Sequence, residues 1–112
     1  MAIRKFKSGA TRDTDEGKID YAGFLHPKVI EAFGKYMHKH RMQTDGSMRA
    51  SDNWKKGMPR DELFKSGMRH FMDWWLEHEG FASREGMMDA LMGLMFNVQG
   101  YALEVIRDGE SN

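Results

Sequence analysis

The sequence predicts an all-α fold: a small helical bundle with an antiparallel helix hairpin. Three observations predict it. Apolar residues recur at three- and four-residue spacing in three long stretches. No stretch alternates apolar and polar residues over a useful length, as a half-buried strand would. The breaks between stretches are rich in glycine, serine, aspartate and asparagine, the residues of turns. At 112 residues and without cysteine, the chain is one domain's worth, with a modest core and no disulfide or thiolate metal site.

Each element follows in chain order. Residues 1–26 are polar and glycine-bearing and are expected to be an irregular, ligand-facing segment. Pro27 suits the first turn of a helix, where its missing N–H costs nothing. From there the helix of about 27–41 places Val29, Ile30, Phe33, Tyr36 and Met37 on one face. The stretch 43–58 has no period and reads as a loop. A second helix over about 60–79 carries the stripe Leu63, Phe64, Met68, Phe71, Met72 and Trp75, expected inward. Asp61 and Glu62 favour its N-terminal dipole, and Gly80 suits the position just past its end. Ser83 can cap a third helix over about 83–108, with Met87, Met88, Leu91, Leu94, Met95, Val98, Ala102 and Val105 inward. Three helices give a thin core, so self-association into a homo-oligomer is expected. The 11 methionines suit gap-filling in such a core, or an adaptable partner-binding surface.

Charge narrows the partners. Lys+Arg and Asp+Glu are both 17, which disfavours a protein that lives on nucleic acid or an anionic membrane. "GKYMHKHR" (34–41) is the nearest approach to a basic stripe and reads as the solvated end of the first helix. No apolar run approaches a membrane span or a signal peptide, and the absence of cysteine fits the cytoplasm.

The link between the second and third helices is short, so they should run antiparallel. Reflection about residue 81 sets Glu77 opposite Glu85 and Asp73 opposite Asp89, with His70 on the same face as Asp73 and Glu77. Carboxylates so placed repel unless a cation sits among them. Oxygen ligands on facing helices suit Mg²⁺, with Mn²⁺ as the other candidate, in metal-assisted attack of water at phosphorus. The same residues also read as solvated helix faces, and His70 as a packed histidine. In the loop "SDNWKKGMP" (51–59), Lys55 and Lys56 can meet phosphates and Trp54 can face a base or sugar. Trp54 can equally plug the bundle.

The ordered set "GATRDTDEGKIDY", "HP", "DNWKKGMP", "MRHFMDWW" and "MFN" resembles the phage-enriched dATP/dGTP diphosphohydrolase N-terminal domain family, which is related to the MazG-like all-α nucleoside triphosphate pyrophosphohydrolases. The likeness runs over roughly residues 8–106. It implies a single MazG-like domain over 1–112, in the cytoplasm of the host cell if phage-encoded. It implies Mg²⁺-dependent cleavage of a (deoxy)nucleoside triphosphate to the monophosphate and pyrophosphate, with metal ligands from the hairpin. By position it assigns Arg12, Lys18, Asn53, Trp54, Lys56, Arg69 and Asn97 to nucleotide or phosphate binding. Asp73 and His70 become the catalytic candidates, and Asp73, Glu77, Asp89 and Glu85 the metal ligands. The chain departs from the family at Lys65, often acidic there, and at Asp89, Ala90 and Gly93, where histidines are frequent. Those departures leave a second function open: a phage protein that binds or sequesters a nucleotide without cutting it and so counters host defence.

Overall fold

A computed structural model describes residues 3–111. Four helices dominate it: α1 (Tyr21–Phe24), α2 (Pro27–Lys39), α3 (Arg60–His78) and α4 (Met87–Ser111). Two short strands, β1 (Ile3–Lys5) and β2 (Thr11–Asp13), pair antiparallel with Arg4 opposite Arg12. The fold is therefore largely helical but not purely all-α. The segment expected to be irregular holds a β-hairpin and one helical turn; strands of three residues are too short to show alternation. The expected first helix ends at Lys39, and the second ends at His78. The third starts at Met87 instead of Ser83, because Gly86 has φ 84°, a left-handed conformation that no continuing helix adopts.

The caps follow from the sequence. His26 Nδ1 accepts from Lys28 N–H at 3.1 Å, so "HP" supplies both a side-chain cap and a proline at the start of α2. At the end of α3, Phe81 N–H donates to the Leu76 carbonyl (2.9 Å) and Gly80 N–H to that of Glu77 (3.1 Å). With Gly80 at φ 89°, this is a Schellman closure. Ser83 Oγ accepts from Gly86 N–H at 3.0 Å, capping the turn before α4.

The α3–α4 hairpin is the body of the fold, and α2 packs across α4. Its seam is made of notches more than of bulk. Leu63, 2% exposed, fills the space at Gly100, where a Cβ would stand 3.1 Å from Leu63 Cδ2. Asn97 lies over Gly67, and the His70 ring occupies the notch at Gly93, where a Cβ would meet Cε1 at 2.5 Å. Such notches let the two backbones approach closely. Of the stripes expected inward, Leu63 is buried and Leu91, Leu94 and Met95 are half-buried, but most of the rest point out: Phe64 is 62% exposed, Trp75 52% and Val98 61%, with Met68, Phe71, Met72, Met87, Met88 and Val105 also exposed. The Cα radius of gyration is 19.4 Å, against about 13 Å for a compact chain of this length.

Filling one notch tests the seam. Gly93→Ala is expected to cost about 1–3 kcal/mol, because the His70 ring must leave its place. Gly109→Ala, with open space around its Cβ, is expected to be neutral or stabilising by up to about 1 kcal/mol. Denaturant melts of the two variants check this, and equal effects would refute it.

Candidate functional site

Three side chains expected at the site come together where α3 meets the turn before α4. His70, Asp73 and Glu85 each offer a ligand atom within 4.8 Å of the others. His70 Nδ1 and Glu85 Oε1 share a hydrogen bond of 2.5 Å. Asp73 is 3% exposed and accepts from Arg84 Nε at 3.0 Å and from Nη2 at 2.5 Å. Arg84's hydrogen bonds hold the Asp73 carboxyl below the usual carboxylate range, although burial pulls the other way. Asp73 in turn raises the guanidinium's already high pKa.

The other two carboxylates stand outside this group. Glu77 Oε1 accepts from Ser83 N–H (3.2 Å) and Oγ–H (3.1 Å), tying the end of α3 to the link. Asp89 pairs with Lys39 Nζ at 2.5 Å, holding α2 against α4. The matched heights expected from reflection are absent, because Glu85 sits on the turn before α4 and folds back onto α3.

Beyond His70 opens a cavity of about 710 Å³, bounded by the end of α2, the loop 49–58 and the inner faces of α3 and α4. Arg41, Arg49 and Lys56 line it, with His38, His40 and His70, and among the described residues no carboxylate does. The end of α2, expected to be merely solvated, is thus a cavity wall. A reversal brings Arg41 and Arg49 side by side: Met42 bridges Met48, Arg49 N–H donates to the Arg41 carbonyl (2.8 Å), and Arg41 Nε returns a bond to the Arg49 carbonyl (2.7 Å). Buried Tyr36 also lines the cavity, its ring 4.3 Å from that of His40. Burial first, then the charges of Glu85 and Asp89, push its phenol up to about 12. It therefore stays a hydrogen-bond donor through neutral pH. Burial and Lys39 lower the His40 pKa, opposed by Asp89 and Glu85.

Asn53, Trp54 and Lys56 line the same cavity. A short 3-10 turn (Asn53–Lys56) carries them and is pinned to α4: Arg107 donates to the Lys55 carbonyl, and Met58 N–H to Glu104 Oε1 at 3.2 Å. Trp54 meets Phe96 edge-on at 5.8 Å, so it both packs on the bundle and faces the cavity. Arg12, Lys18 and Arg69 are exposed and do not line it. Asn97 is buried and lines a second groove. Sequence reasoning missed Arg84, Tyr36, Arg41 and Arg49 as site residues; helical spacing sets Tyr36 on an apolar face without marking it for the site, and carries no signal for the three arginines.

The donor set bears on the expected metal. Two carboxylates and one imidazole fit a divalent cation, and the nitrogen donor suits Mn²⁺ better than Mg²⁺. A cation there would compete with Arg84 for Asp73 and with His70 for Glu85.

The Asp73–Arg84 pair gives a pH signature. A depressed carboxylate stabilises the fold above its unfolded value, about 3.9, and the gain is lost as pH falls through the lower folded value. Melting temperature is expected to fall on acidification below about pH 4 through this pair. In Arg84→Ala the buried carboxylate has lost its partner, so acidification is expected to raise the melting temperature instead. Thermal melts from pH 3 to 8 check this; identical acid limbs in both proteins would refute it. Compared with protein-family models, with curated proteins and with solved structures, the chain matches none, so the chemistry of the site rests on its own geometry.

Proposed function

We propose that the protein is a divalent-cation-dependent pyrophosphohydrolase acting on a (deoxy)nucleoside triphosphate and releasing the monophosphate and pyrophosphate. One observation carries this reading: a cavity of nucleotide size, lined by cations and without a carboxylate among the described residues, is walled by His70, one member of the His70–Asp73–Glu85 cluster. Arg41, Arg49 and Lys56 hold the polyphosphate by charge-assisted hydrogen bonds. Trp54 contacts the base or sugar, and Asn53 its polar edge. Glu85 fixes the His70 ring through Nδ1, and His70 takes a proton from the attacking water. The new bond forms at the α-phosphorus, the α–β bridging P–O bond breaks, and pyrophosphate leaves with the electron pair. Asp73 and Glu85 would hold a divalent cation, which would lower the pKa of the attacking water and neutralise developing charge. The reading includes a homo-oligomer and a cytoplasmic, phage-encoded setting. Among the described residues no helix is long and apolar enough to cross a membrane.

A second reading has a specific observation behind it. Every carboxylate of the expected metal set already has a partner within the chain: Asp73 with Arg84, Glu85 with His70, Asp89 with Lys39 and Glu77 with Ser83. Such a site favours binding a nucleotide without cutting it, as a phage protein that sequesters a host signalling nucleotide would.

Purified protein incubated with each common NTP and dNTP, with Mg²⁺ or Mn²⁺, is expected to release pyrophosphate from at least one. No turnover, together with intact nucleotide recovered after denaturation, would replace the first reading by the second. Under either reading Arg49→Ala and Lys56→Ala are each expected to weaken nucleotide binding about ten- to a hundredfold. Unchanged affinity in both, measured by calorimetry, would remove the cavity from the function.

A further inference from the structure

Tyr36 is the one buried residue of α2, and on the apolar face of that helix it alone ends in a polar group. It is 9% exposed. Its ring is held from two sides: the His40 ring lies 4.3 Å away, one turn on, and Lys39 Nζ stands 5.6 Å from the ring centre. Lys39 is itself fixed by Asp89 at 2.5 Å. Packing, not a hydrogen bond, therefore sets where the phenol points.

No part of the chain uses the hydroxyl. Among the described residues it donates to no acceptor and accepts from no donor. The enclosed side-chain atoms without a partner are Arg4 Nε, Thr14 Oγ1 and Asn97 Oδ1. The Tyr36 hydroxyl is not one of them, so it still meets open space, and the open space that Tyr36 borders is the cavity of about 710 Å³. A buried tyrosine normally finds a partner for its hydroxyl, because leaving the bond unmade costs free energy. Phenylalanine would pack against His40 equally well without that cost. The hydroxyl does nothing for the free fold.

The rest of the cavity wall decides what the hydroxyl meets. Arg41, Arg49 and Lys56 bring positive charge, the histidines bring ring nitrogens, and among the described residues no carboxylate lines the space. A wall so rich in donors suits a ligand group that only accepts, and a phosphoryl oxygen is such a group. Burial first, then the charges of Glu85 and Asp89, keep the proton on the phenol at neutral pH, so it meets that oxygen as a donor. Glu85 is the hydrogen-bond partner of His70, which sets the phenol towards the His70 wall.

We propose that Tyr36 is a substrate-contacting residue: its hydroxyl donates a hydrogen bond to a phosphoryl oxygen of the bound polyphosphate, beside His70. This rests on the cavity being the nucleotide site. It adds to the charged donors a neutral one whose direction is fixed by packing. The phosphoryl group nearest His70 is then oriented as well as attracted.

The test is calorimetric titration of the full chain, and of Tyr36→Phe, with inorganic tripolyphosphate. Tyr101→Phe, on the second groove, is the control. The wild type is expected to bind, and Tyr36→Phe to bind about ten- to a hundredfold more weakly. Without ligand the Tyr36→Phe melting temperature is expected to equal or exceed that of wild type, since no hydrogen bond of the free protein is lost. Tyr101→Phe is expected to match wild type in both measurements. Wild-type affinity in Tyr36→Phe would overturn the inference, and if Arg49→Ala still weakens binding, the nucleotide reading stands without it. A lower melting temperature in Tyr36→Phe would also overturn it, because the hydroxyl would then serve the fold. So would an equal loss of affinity in Tyr101→Phe. Wild-type protein that binds neither tripolyphosphate nor any nucleotide would remove the reading and the inference together.

Discussion

Everything in this structure hangs on how closely α3 and α4 approach. Three notches set that distance: Gly67, Gly93 and Gly100, against Asn97, His70 and Leu63. Each glycine in a helix interior sacrifices about 1 kcal/mol of helix propensity, and close packing along the seam offsets it. The exchange fixes more than stability. His70 is positioned because its ring has a glycine to lie against, and Glu85 then finds its Nδ1 within 2.5 Å. The cavity beyond His70 takes its inner wall from the same two helices.

The seam also explains which parts of the fold were legible in the sequence. Gly80, Pro27 and the short link wrote the hairpin and its caps plainly, because a left-handed glycine or a helix-starting proline is a local requirement. The inward face was only partly legible. Hydropathy picks out the stripe Leu63, Phe64, Met68, Phe71, Met72 and Trp75, and of these Leu63 alone is buried. Around Leu63 the buried seam is built from Gly67, Ala90, Gly93, Asn97 and Gly100, small or polar residues that an apolar stripe does not pick out, because close approach selects small side chains. Each helix thus carries two periodic faces, and periodicity alone does not rank them.

The site was half legible for a similar reason. His70, Asp73 and Glu85 were named from spacing and are brought together. Arg84, whose hydrogen bonds lower the Asp73 pKa, is placed by the backbone path of the turn before α4. Arg41 and Arg49 become neighbours only through the Met42–Met48 reversal. Of the expected phosphate contacts, the loop residues Asn53, Trp54 and Lys56 reach the cavity, and Arg12, Lys18 and Arg69 stay outside it.

The absence of carboxylates from the cavity lining has a kinetic side. The chain's charges balance overall, but they are unevenly placed: Arg41, Arg49 and Lys56 line one concavity, while Glu85 and Asp89 are engaged with His70 and Lys39. A neutral molecule so polarised behaves as a dipole towards an approaching anion. The field is focused at the mouth, where low-dielectric walls concentrate it, and it orients a polyanion before contact. Capture should therefore slow as ionic strength rises and the Debye length shrinks below the cavity's reach, while the residence time of a seated ligand, shielded from counterions, changes far less.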